Sequence, residues 1–372
     1  MIELKFKSDF NKIKNVFVGK LLSKKEINEK NYLYNNNESF LVQAEYNRKK
    51  NEYNCHSEFG NFKIFSDNEN LYGDVFIFFP TKKYSLRVIR RSSNHNTILF
   101  TEKCDQLCVM CSQPPKNIES KWLFPLYQKA IELSDPKKTI GISGGEPTLY
   151  KKELFSILLN VYDKRKDLSF HILSNGQHFD NNDFEILDEI NNKLNILWGI
   201  PLYADNYDLH DKIVKKKAFD ILLKNLFILA ETSSKIELRT VLMMSNYQNL
   251  PFLAKFISKN LNFINVWAIM SLEQIGYAKV TKNEIFVDHS SFLKPLIDTL
   301  DLTILNGINT SLYNFPLCTI PEHYHQYCAN SISDWKRKYL DICSSCSKKN
   351  ICTGFFEWYN KDWKFNNLKA FI

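Results

Sequence analysis

The sequence lacks the features that would direct a chain into a membrane or out of the cell. No apolar run reaches the roughly 18 residues that a membrane-spanning helix needs. The opening stretch, MIELKFKSDFNK, carries charges throughout and has no apolar segment of a secretory signal. The nine cysteines are an odd number and favour metal binding over disulfides. We therefore expect a cytoplasmic protein with metal-ligating cysteines and no membrane association.

The sequence also lacks a signature for binding nucleic acid. Its net charge is +8, but the lysines are scattered among asparagines and glutamates, as on solvated surfaces. No RNA-binding fold motif and no strip of basic and aromatic residues occurs. With 372 residues, of which 44% are hydrophobic, the chain is long enough for a large core and two or three structural units. We expect a globular protein without a nucleic-acid partner.

Three cysteines lie close together in the stretch TEKCDQLCVMCSQPP, with the spacing Cys104-x3-Cys108-x2-Cys111. The preceding residues, NTILF at 96–100, predict a short strand, so the cysteines fall on the loop that leaves it. Three thiolates on such a short loop suit a metal ion or an iron–sulfur cluster. A cubane cluster has four irons, so three thiolates leave one iron open. An open coordination position marks a catalytic rather than a structural site.

A second motif, Gly144-Gly145-Glu146-Pro147, follows the apolar segment TIGIS at 139–143. Glycines let the backbone approach a ligand closely, and Glu146 offers an acceptor for an ammonium group. The cysteine triplet, followed after a helix-length segment by a strand that ends in GGEP, resembles the radical S-adenosylmethionine (SAM) superfamily. This resemblance implies a 4Fe–4S cluster on the three cysteines, with the amino and carboxylate groups of SAM on the open iron. It also implies that the GGEP turn contacts the SAM amino group.

Strand and helix patterns alternate between residue 96 and about residue 275. The predicted strands lie near 97–103, 139–143, 168–174, 194–203, 236–244 and 264–272. The predicted helices lie near 120–134, 151–165, 182–191, 211–231 and 249–260. Six βα units imply a parallel sheet with helices outside, so we predict an α/β fold with a partial (β/α)6 radical SAM barrel. Both motifs then fall at the C-terminal ends of strands, where such barrels carry their chemistry.

The regions that flank this core have a different character. Residues 1–92 predict a small, mostly β N-terminal domain, with strands near 16–20, 32–34 and 74–79. The stretch RVIRRSSNHN follows, and its Arg90, Arg91 and His95 either line the mouth of the site or form a surface linker. We predict three units, a β-rich domain at 1–92, a radical SAM core at 93–300 and a cysteine-rich segment at 301–372.

Further polar residues follow or interrupt the predicted strands. Ser174 and Asn175 come after the third strand and either bind the ribose hydroxyls of SAM, as the resemblance implies, or form an ordinary Asn-Gly turn. Arg239 interrupts the apolar strand LRTVLMM and either occupies an edge or faces the interior. In the interior it would meet the SAM carboxylate bidentately, as the resemblance implies. Glu273, after the sixth strand, can face SAM or the substrate.

The tail from about residue 302 holds five of the nine cysteines, Cys318, Cys328, Cys343, Cys346 and Cys352. The spacing Cys343-x2-Cys346-x5-Cys352 is typical of metal sites, and Cys318 or Cys328 can supply a fourth thiolate. We favour Cys318, which leaves a strand-like segment, while His323 and His325 remain alternative ligands. Four thiolates suit a structural zinc or a second 4Fe–4S cluster, and given the first cluster we expect the cluster. The spacing resembles the SPASM or twitch segments of radical SAM peptide maturases.

Longer stretches narrow the resemblance. They are RSSNHNTILFTEKCDQLCVMCSQPPK, VWAIMSLEQIGYA, LYNFPLC and SISDWKRKYLDICSSCSKKNICTGFF. Together they are similar to the His-Xaa-Ser system radical SAM maturases, C-type, over roughly residues 73 to 357. The family implies a ribosomally made precursor peptide with His-Xaa-Ser repeats, a second radical SAM maturase as partner, and an external electron donor.

The sequence thus predicts an enzyme that cleaves SAM reductively and modifies this peptide with the resulting deoxyadenosyl radical. Three alternatives remain open. The same radical chemistry can act on RNA or on another protein. The chain can also be a non-catalytic iron–sulfur or zinc scaffold that binds its partner maturase.

Overall fold

The computed structural model describes residues 4–29, 40–94, 96–360, 363 and 365–372. The predicted strand at 32–34 and His95 lie outside the described residues. Across the described ranges, no helix combines the length and the apolar character that crossing a membrane requires. All nine cysteines are free thiols, so none of them forms a disulfide.

The first seven strands close into a barrel in the order β1-β5-β4-β3-β2-β6-β7. They are β1 (Lys5–Phe10), β2 (Phe17–Leu22), β3 (Leu41–Asn47), β4 (Glu52–Ser57), β5 (Gly60–Phe65), β6 (Val75–Phe79) and β7 (Tyr84–Ile89). The short helix α1 (Lys24–Asn28) follows β2. Aromatic side chains fill the barrel, among them Phe6, Tyr53, Phe76 and Phe78, which are fully buried. Closure removes the sheet edges that aromatic strands would otherwise expose.

The next eight strands form one parallel sheet in sequential order from β8 to β15. They are β8 (Asn96–Thr101), β9 (Thr139–Gly144), β10 (Ser169–Leu173), β11 (Asn195–Pro201), β12 (Lys235–Val241), β13 (Val266–Met270), β14 (Thr310–Tyr313) and β15 (Cys328–Ala329). The predicted α/β class is confirmed, and its six strands are the first six of this sheet. β14 and β15 extend the sheet beyond the six strands of the predicted partial barrel.

Helices connect these strands, as a parallel sheet requires. They are α2 (Phe124–Glu132), α3 (Lys151–Lys164), α4 (Phe184–Lys193), α5 (Tyr207–Val214), α6 (Phe219–Glu231), α7 (Met244–Tyr247), α8 (Leu250–Asn260), α9 (Tyr277–Val280), α10 (Lys282–Ile285) and α11 (Lys294–Leu305). The prediction of one helix over 211–231 is wrong. Lys215 adopts a left-handed conformation that ends α5, and the Asp211 carboxylate accepts the N–H groups of Ala218 and Phe219 at the start of α6.

One apolar core lies between the parallel sheet and its helices, and residues of the barrel such as Val18 and Ile77 join it. Successive strand residues alternate between this core and the opposite face of the sheet, which we call the inner face. The last two strands, β16 (Arg337–Lys338) and β17 (Phe355–Phe356), form a separate antiparallel pair. Helix α11 spans residue 300, where the sequence predicts a domain boundary, and β14 and β15 lie after it but belong to the same parallel sheet.

A buried ion pair joins the N-terminal barrel to the parallel sheet. Lys20 on β2 is fully buried, and its Nζ lies 2.6 Å from the Asp135 carboxylate and 3.1 Å from the carbonyl oxygen of Leu133. Arg91 bridges Asp135, at 3.1 Å, to Glu26, at 2.6 Å. Burial lowers the pKa of Lys20, although the charge and the hydrogen bond of Asp135 raise it in part. Arg91 therefore holds this junction together through both of its carboxylate partners.

We expect the substitution Lys20→Met to lower the free energy of unfolding by about 3 kcal/mol, because Asp135 loses its closest cation in a buried setting. Urea titration of the protein measures this change. Lys25→Met is the matched control, since Lys25 forms an exposed pair with Glu29 and exposed pairs contribute little stability. Equal effects of the two substitutions would contradict the role of the Lys20 pair.

Candidate functional site

The cysteine loop leaves β8 and is tied to other elements by backbone hydrogen bonds. It carries the thiols of Cys104, Cys108 and Cys111, which are all partly buried. The N–H group of Leu107 donates to the carbonyl of Val214 at the end of α5, at 3.2 Å. The carbonyl of Cys111 accepts the N–H of Tyr277 at 2.9 Å. Two separate connections of the sheet thus hold the loop at the C-terminal ends of the strands.

The GGEP turn continues the pairing of β8 and β9 into this loop. The N–H groups of Gly145 and Glu146 donate to the carbonyls of Thr101 and Lys103, each at 2.7 Å. A Cβ atom on Gly145 would lie 2.1 Å from the Lys103 oxygen, and one on Gly144 would lie 2.2 Å from the Thr101 oxygen. Gly144 also has a φ of +136°, which favours glycine. Both glycines therefore serve the close approach of the cysteine loop to β9.

Glu146 is fully buried and ties the end of β9 to the end of β10. Its carboxylate accepts the N–H of Thr148 at 2.8 Å, the hydroxyl of Ser174 at 2.9 Å and the N–H of Asn175. Pro147 begins the short 3-10 helix that Glu146 caps. Burial raises the pKa of Glu146 against the effect of these donors. Glu146 thus has a structural role, since it links β9 to β10. Its predicted contact with the SAM ammonium stays a prediction.

Asp105 lies inside the cysteine motif, and sequence reasoning did not identify it. Its carboxylate accepts the side-chain amide of Asn175 at 2.8 Å and pairs with Lys216, while His178 Nε2 lies 3.2 Å away. These contacts outweigh burial and hold the pKa of Asp105 well below its usual range. Asn175 thus links β10 to the cysteine loop, and its predicted ribose contact stays a prediction. The signal for Asp105 was an acidic residue directly after the first cysteine.

The three thiols share one desolvated environment. Burial, together with a smaller contribution from the neighbouring cysteines, raises the pKa of Cys104 to about 11 and that of Cys108 to about 12. Metal ions bind the thiolate, so ligation here would release protons. Within the described ranges, no three histidine, cysteine, aspartate or glutamate side chains converge tightly enough to hold one metal ion. The residue types still fit an iron–sulfur cluster, because three soft donors lie on one anchored loop.

A second polar cluster, which we call the inner-face network, spans β10 to β14. Glu237 is 1% exposed and accepts hydrogen bonds from His171 Nε2 at 3.1 Å, from Tyr313 Oη at 3.1 Å and from Arg239 Nη1. Gly199 on β11 makes room, because a Cβ there would lie 3.0 Å from Arg239 Cδ and 3.1 Å from His171 Nε2. Sequence reasoning identified only Arg239, although the glycine within a strand was a signal for close approach.

The electrostatics of this network keep Glu237 ionised. Burial alone would raise its pKa, but the hydrogen bond from His171 and the charge of Arg239 lower it to about 2. Burial and the adjacent Glu237 carboxylate raise the pKa of Tyr313 to about 12, so its hydroxyl stays a donor. Arg239 lies on the inner face, as one of the two predicted alternatives had it, because its neighbour Leu238 packs in the helix-side core.

Glu273 connects the rim of the sheet to the C-terminal segment. Its carboxylate lies 2.9 Å from the Nζ of Lys336, just before β16. The ion pair therefore brings the cysteine-rich segment close to the candidate site. The predicted contact of Glu273 with SAM or substrate stays a prediction. The next residue, Gln274, is 3% exposed, and its Oε1 has no hydrogen-bond partner among the described residues.

Four cysteines of the tail line one pocket, namely Cys318, Cys343, Cys346 and Cys352. Burial, together with the nearby Cys352 and Cys343, raises the pKa of Cys318 to about 12. Cys328 lies on β15 and is not among the residues that line this pocket. His325 Nε2 lies 2.9 Å from the carbonyl oxygen of Leu317, so it is engaged with the backbone. The lining thus includes Cys343, Cys346 and Cys352, which the spacing predicts as ligands, and Cys318, which the sequence favours as the fourth.

We expect Gly145→Ala to lower the free energy of unfolding by about 2 kcal/mol and to reduce iron binding, because the new methyl group displaces the cysteine loop. Urea titration and the iron content after anaerobic reconstitution measure the two effects. The control is Gly307→Ala, where no atom lies within 4 Å, although the positive φ of +66° costs about 1 kcal/mol. Equal iron content in both variants would contradict the assigned role of Gly145.

Comparison with solved structures gives matches of low identity. SuiB from Streptococcus suis, bound to the precursor peptide SuiA, is 19% identical with a TM-score of 0.45, over 58% of this chain and 48% of that chain. anSMEcpe with bound AdoMet is 16% identical with a TM-score of 0.45, over 58% and 62%. A radical SAM methyltransferase from Sphaerobacter thermophilus is 11% identical with a TM-score of 0.42, over 73% and 76%. The match thus spans about half the length of SuiB.

The family comparison concerns the segment that carries both motifs. No curated protein matches the chain. Residues 98–256 match the model of the Radical SAM superfamily. This segment starts in β8, contains the cysteine loop, the GGEP turn and Arg239, and ends within α8. The matched segment covers 159 of the 372 residues, and the similarity to this superfamily therefore lies in the part of the chain that holds both motifs.

Proposed function

We propose that the protein is a radical SAM enzyme that modifies a ribosomally made peptide with His-Xaa-Ser repeats. One observation carries the radical SAM part. The cysteine loop and the GGEP turn meet through the hydrogen bonds of Gly145 and Glu146 at the C-terminal ends of parallel strands. Parallel α/β proteins bind their ligands at these ends. The peptide substrate, the partner maturase and the external electron donor are supported by the sequence resemblance alone.

In this proposal, Cys104, Cys108 and Cys111 hold the 4Fe–4S cluster as thiolates. When bound, the cluster and SAM supply a deoxyadenosyl radical that can take a hydrogen atom from a substrate C–H bond. The chain itself orients SAM and excludes water. Arg239 suits the SAM carboxylate, because among the described residues only its Nη1 has a partner, which leaves Nε and Nη2 free. A guanidinium with two free N–H donors can bind a carboxylate bidentately.

The four cysteines of the C-terminal pocket suit a second cluster with complete thiolate ligation, or a zinc ion. We assign them to a second 4Fe–4S cluster, which when bound would either accept an electron from the substrate or brace the peptide-binding face. The ion pair between Glu273 and Lys336 supports both roles, because it ties the tail to the rim of the sheet.

Reductant-dependent formation of deoxyadenosine by the anaerobically reconstituted protein tests the proposed function. The assay runs with and without a His-Xaa-Ser repeat peptide, and the mass shift of the peptide identifies the modification. Formation that rises with peptide supports the maturase. If formation does not depend on the peptide, the protein is still a radical SAM enzyme, but its substrate is another protein or RNA. Binding that weakens as salt is added would indicate RNA. No formation by protein fully loaded with iron would favour the scaffold.

We expect the triple substitution of Cys104, Cys108 and Cys111 by alanine to remove about four iron atoms per chain and all deoxyadenosine formation, because the cubane loses every protein ligand. Iron analysis and chromatography of the reaction measure both. Cys55→Ala is the control, since Cys55 is buried in the barrel core. Cleavage of SAM by the triple variant would overturn the site assignment.

We expect the double substitution of Cys343 and Cys346 by alanine to reduce iron and peptide product while part of the SAM cleavage remains, because the first cysteine loop is untouched. Iron and zinc analysis distinguishes the two possible metals. Cys318→Ala should behave like the double variant, whereas Cys328→Ala should keep its metal, because Cys328 does not line the pocket. Unchanged iron and zinc in the double variant would exclude the second metal site.

A further inference from the structure

The inner-face network contains one histidine nitrogen for which the described residues provide no partner. His171 Nε2 lies 3.1 Å from Glu237 Oε1, while no described residue bonds to Nδ1. The side chain of His171 is 29% exposed, so this nitrogen can be reached from the inner face. The neighbours Phe170 and Ile172 pack in the helix-side core, which directs His171 to the opposite side of the sheet.

The environment of Glu237 selects the tautomer of this histidine. An ionised carboxylate can only accept hydrogen bonds, so Nε2 of His171 must carry its hydrogen. A neutral imidazole then presents Nδ1 as a base and an acceptor. Tyr313 and Arg239 donate to the same carboxylate and hold it in place. A buried carboxylate that orients a histidine, with the other ring nitrogen free, is the arrangement of a general base.

His171 lies on β10 near the predicted SAM region, and it is separate from the cysteine loop. His171 precedes Ser174 by three residues, or about 10 Å along the strand. Ser174 bonds to Glu146 of the GGEP turn. The imidazole thus lies deeper on the inner face than the rim that carries Ser174 and the GGEP turn.

We propose that His171 Nδ1 is the proton acceptor for the peptide substrate, with Glu237 as the positioning residue that fixes the imidazole. This inference rests on the proposed function. The peptide carbon loses a hydrogen atom to the deoxyadenosyl radical, which becomes deoxyadenosine. An iron–sulfur cluster, when bound, would take one electron from the carbon radical, while an adjacent N–H or O–H group of the peptide gives its proton to Nδ1. The peptide is oxidised by two electrons in total, and a bond forms between the carbon and the deprotonated heteroatom.

The ratio of deoxyadenosine to modified peptide tests this role. In His171→Gln we expect this ratio to rise about 100-fold, because a general base contributes 10²- to 10⁴-fold to the step that it serves. His56→Gln is the control, since His56 lies exposed on the N-terminal barrel and should keep the wild-type ratio. A wild-type ratio in His171→Gln, or an equal loss of deoxyadenosine and product, would overturn the proposal. No deoxyadenosine from the wild-type protein would overturn the proposed function together with it.

A measurement on the protein without cluster or SAM tests the geometry separately. Nitrogen-15 NMR of the histidine side chains distinguishes a ring protonated at Nε2 from one protonated at Nδ1, and the His171→Gln spectrum identifies the resonance. We expect His171 to carry its hydrogen on Nε2 in the wild-type protein and to lose this fixed tautomer in Glu237→Gln. A hydrogen on Nδ1 in the wild-type protein would overturn the proposal, because that nitrogen could then only donate.

Discussion

The close approach of Gly145 to the carbonyl oxygen of Lys103 is the constraint on which the candidate site depends. Any side chain at this position would place its first carbon 2.1 Å from that oxygen and push the cysteine loop away from β9. Because the position is glycine, the N–H groups of Gly145 and Glu146 extend the pairing of β8 and β9 past the ends of the strands. The GGEP turn therefore holds the backbone of the cysteine loop up to Lys103, the residue before the first cysteine.

The polar residues of the site form two groups. In one group the side-chain atoms are hydrogen-bonded within the chain, and in the other some side-chain nitrogens have no partner among the described residues. At the rim, Glu146 and Asp105 have their carboxylates occupied by other residues of the chain, so they stabilise the loops. On the inner face, Arg239 keeps two nitrogens and His171 one without a partner among the described residues, while Glu237 holds both side chains in place. Donors and acceptors without a partner are the groups that can bind a ligand. The inner face is therefore the better candidate for ligand binding than the rim.

The parallel sheet, rather than the short elements of the C-terminal segment itself, positions this segment. Strand β14 pairs with β13 and brings the chain back to the same end of the sheet, where Cys318 follows. The pocket then joins Cys318 to three cysteines that lie 25 to 34 residues further along the chain. Sequence spacing names Cys343, Cys346 and Cys352 as a set, and the strand-like segment before Cys318 favours it over Cys328 as the fourth ligand. The lining of the pocket includes Cys318 and not Cys328.

The sequence by itself determined the α/β class, the first six parallel strands and the two motifs, because strand periodicity and short-range spacing are local properties of the chain. It could not determine the break between α5 and α6, which depends on the left-handed Lys215 and the cap from Asp211. Nor could it join His171, Glu237 and Tyr313, which lie on three strands and meet only when the sheet forms. Contacts between distant residues depend on strand order and on which side chains share a face, and the tertiary structure alone decides both.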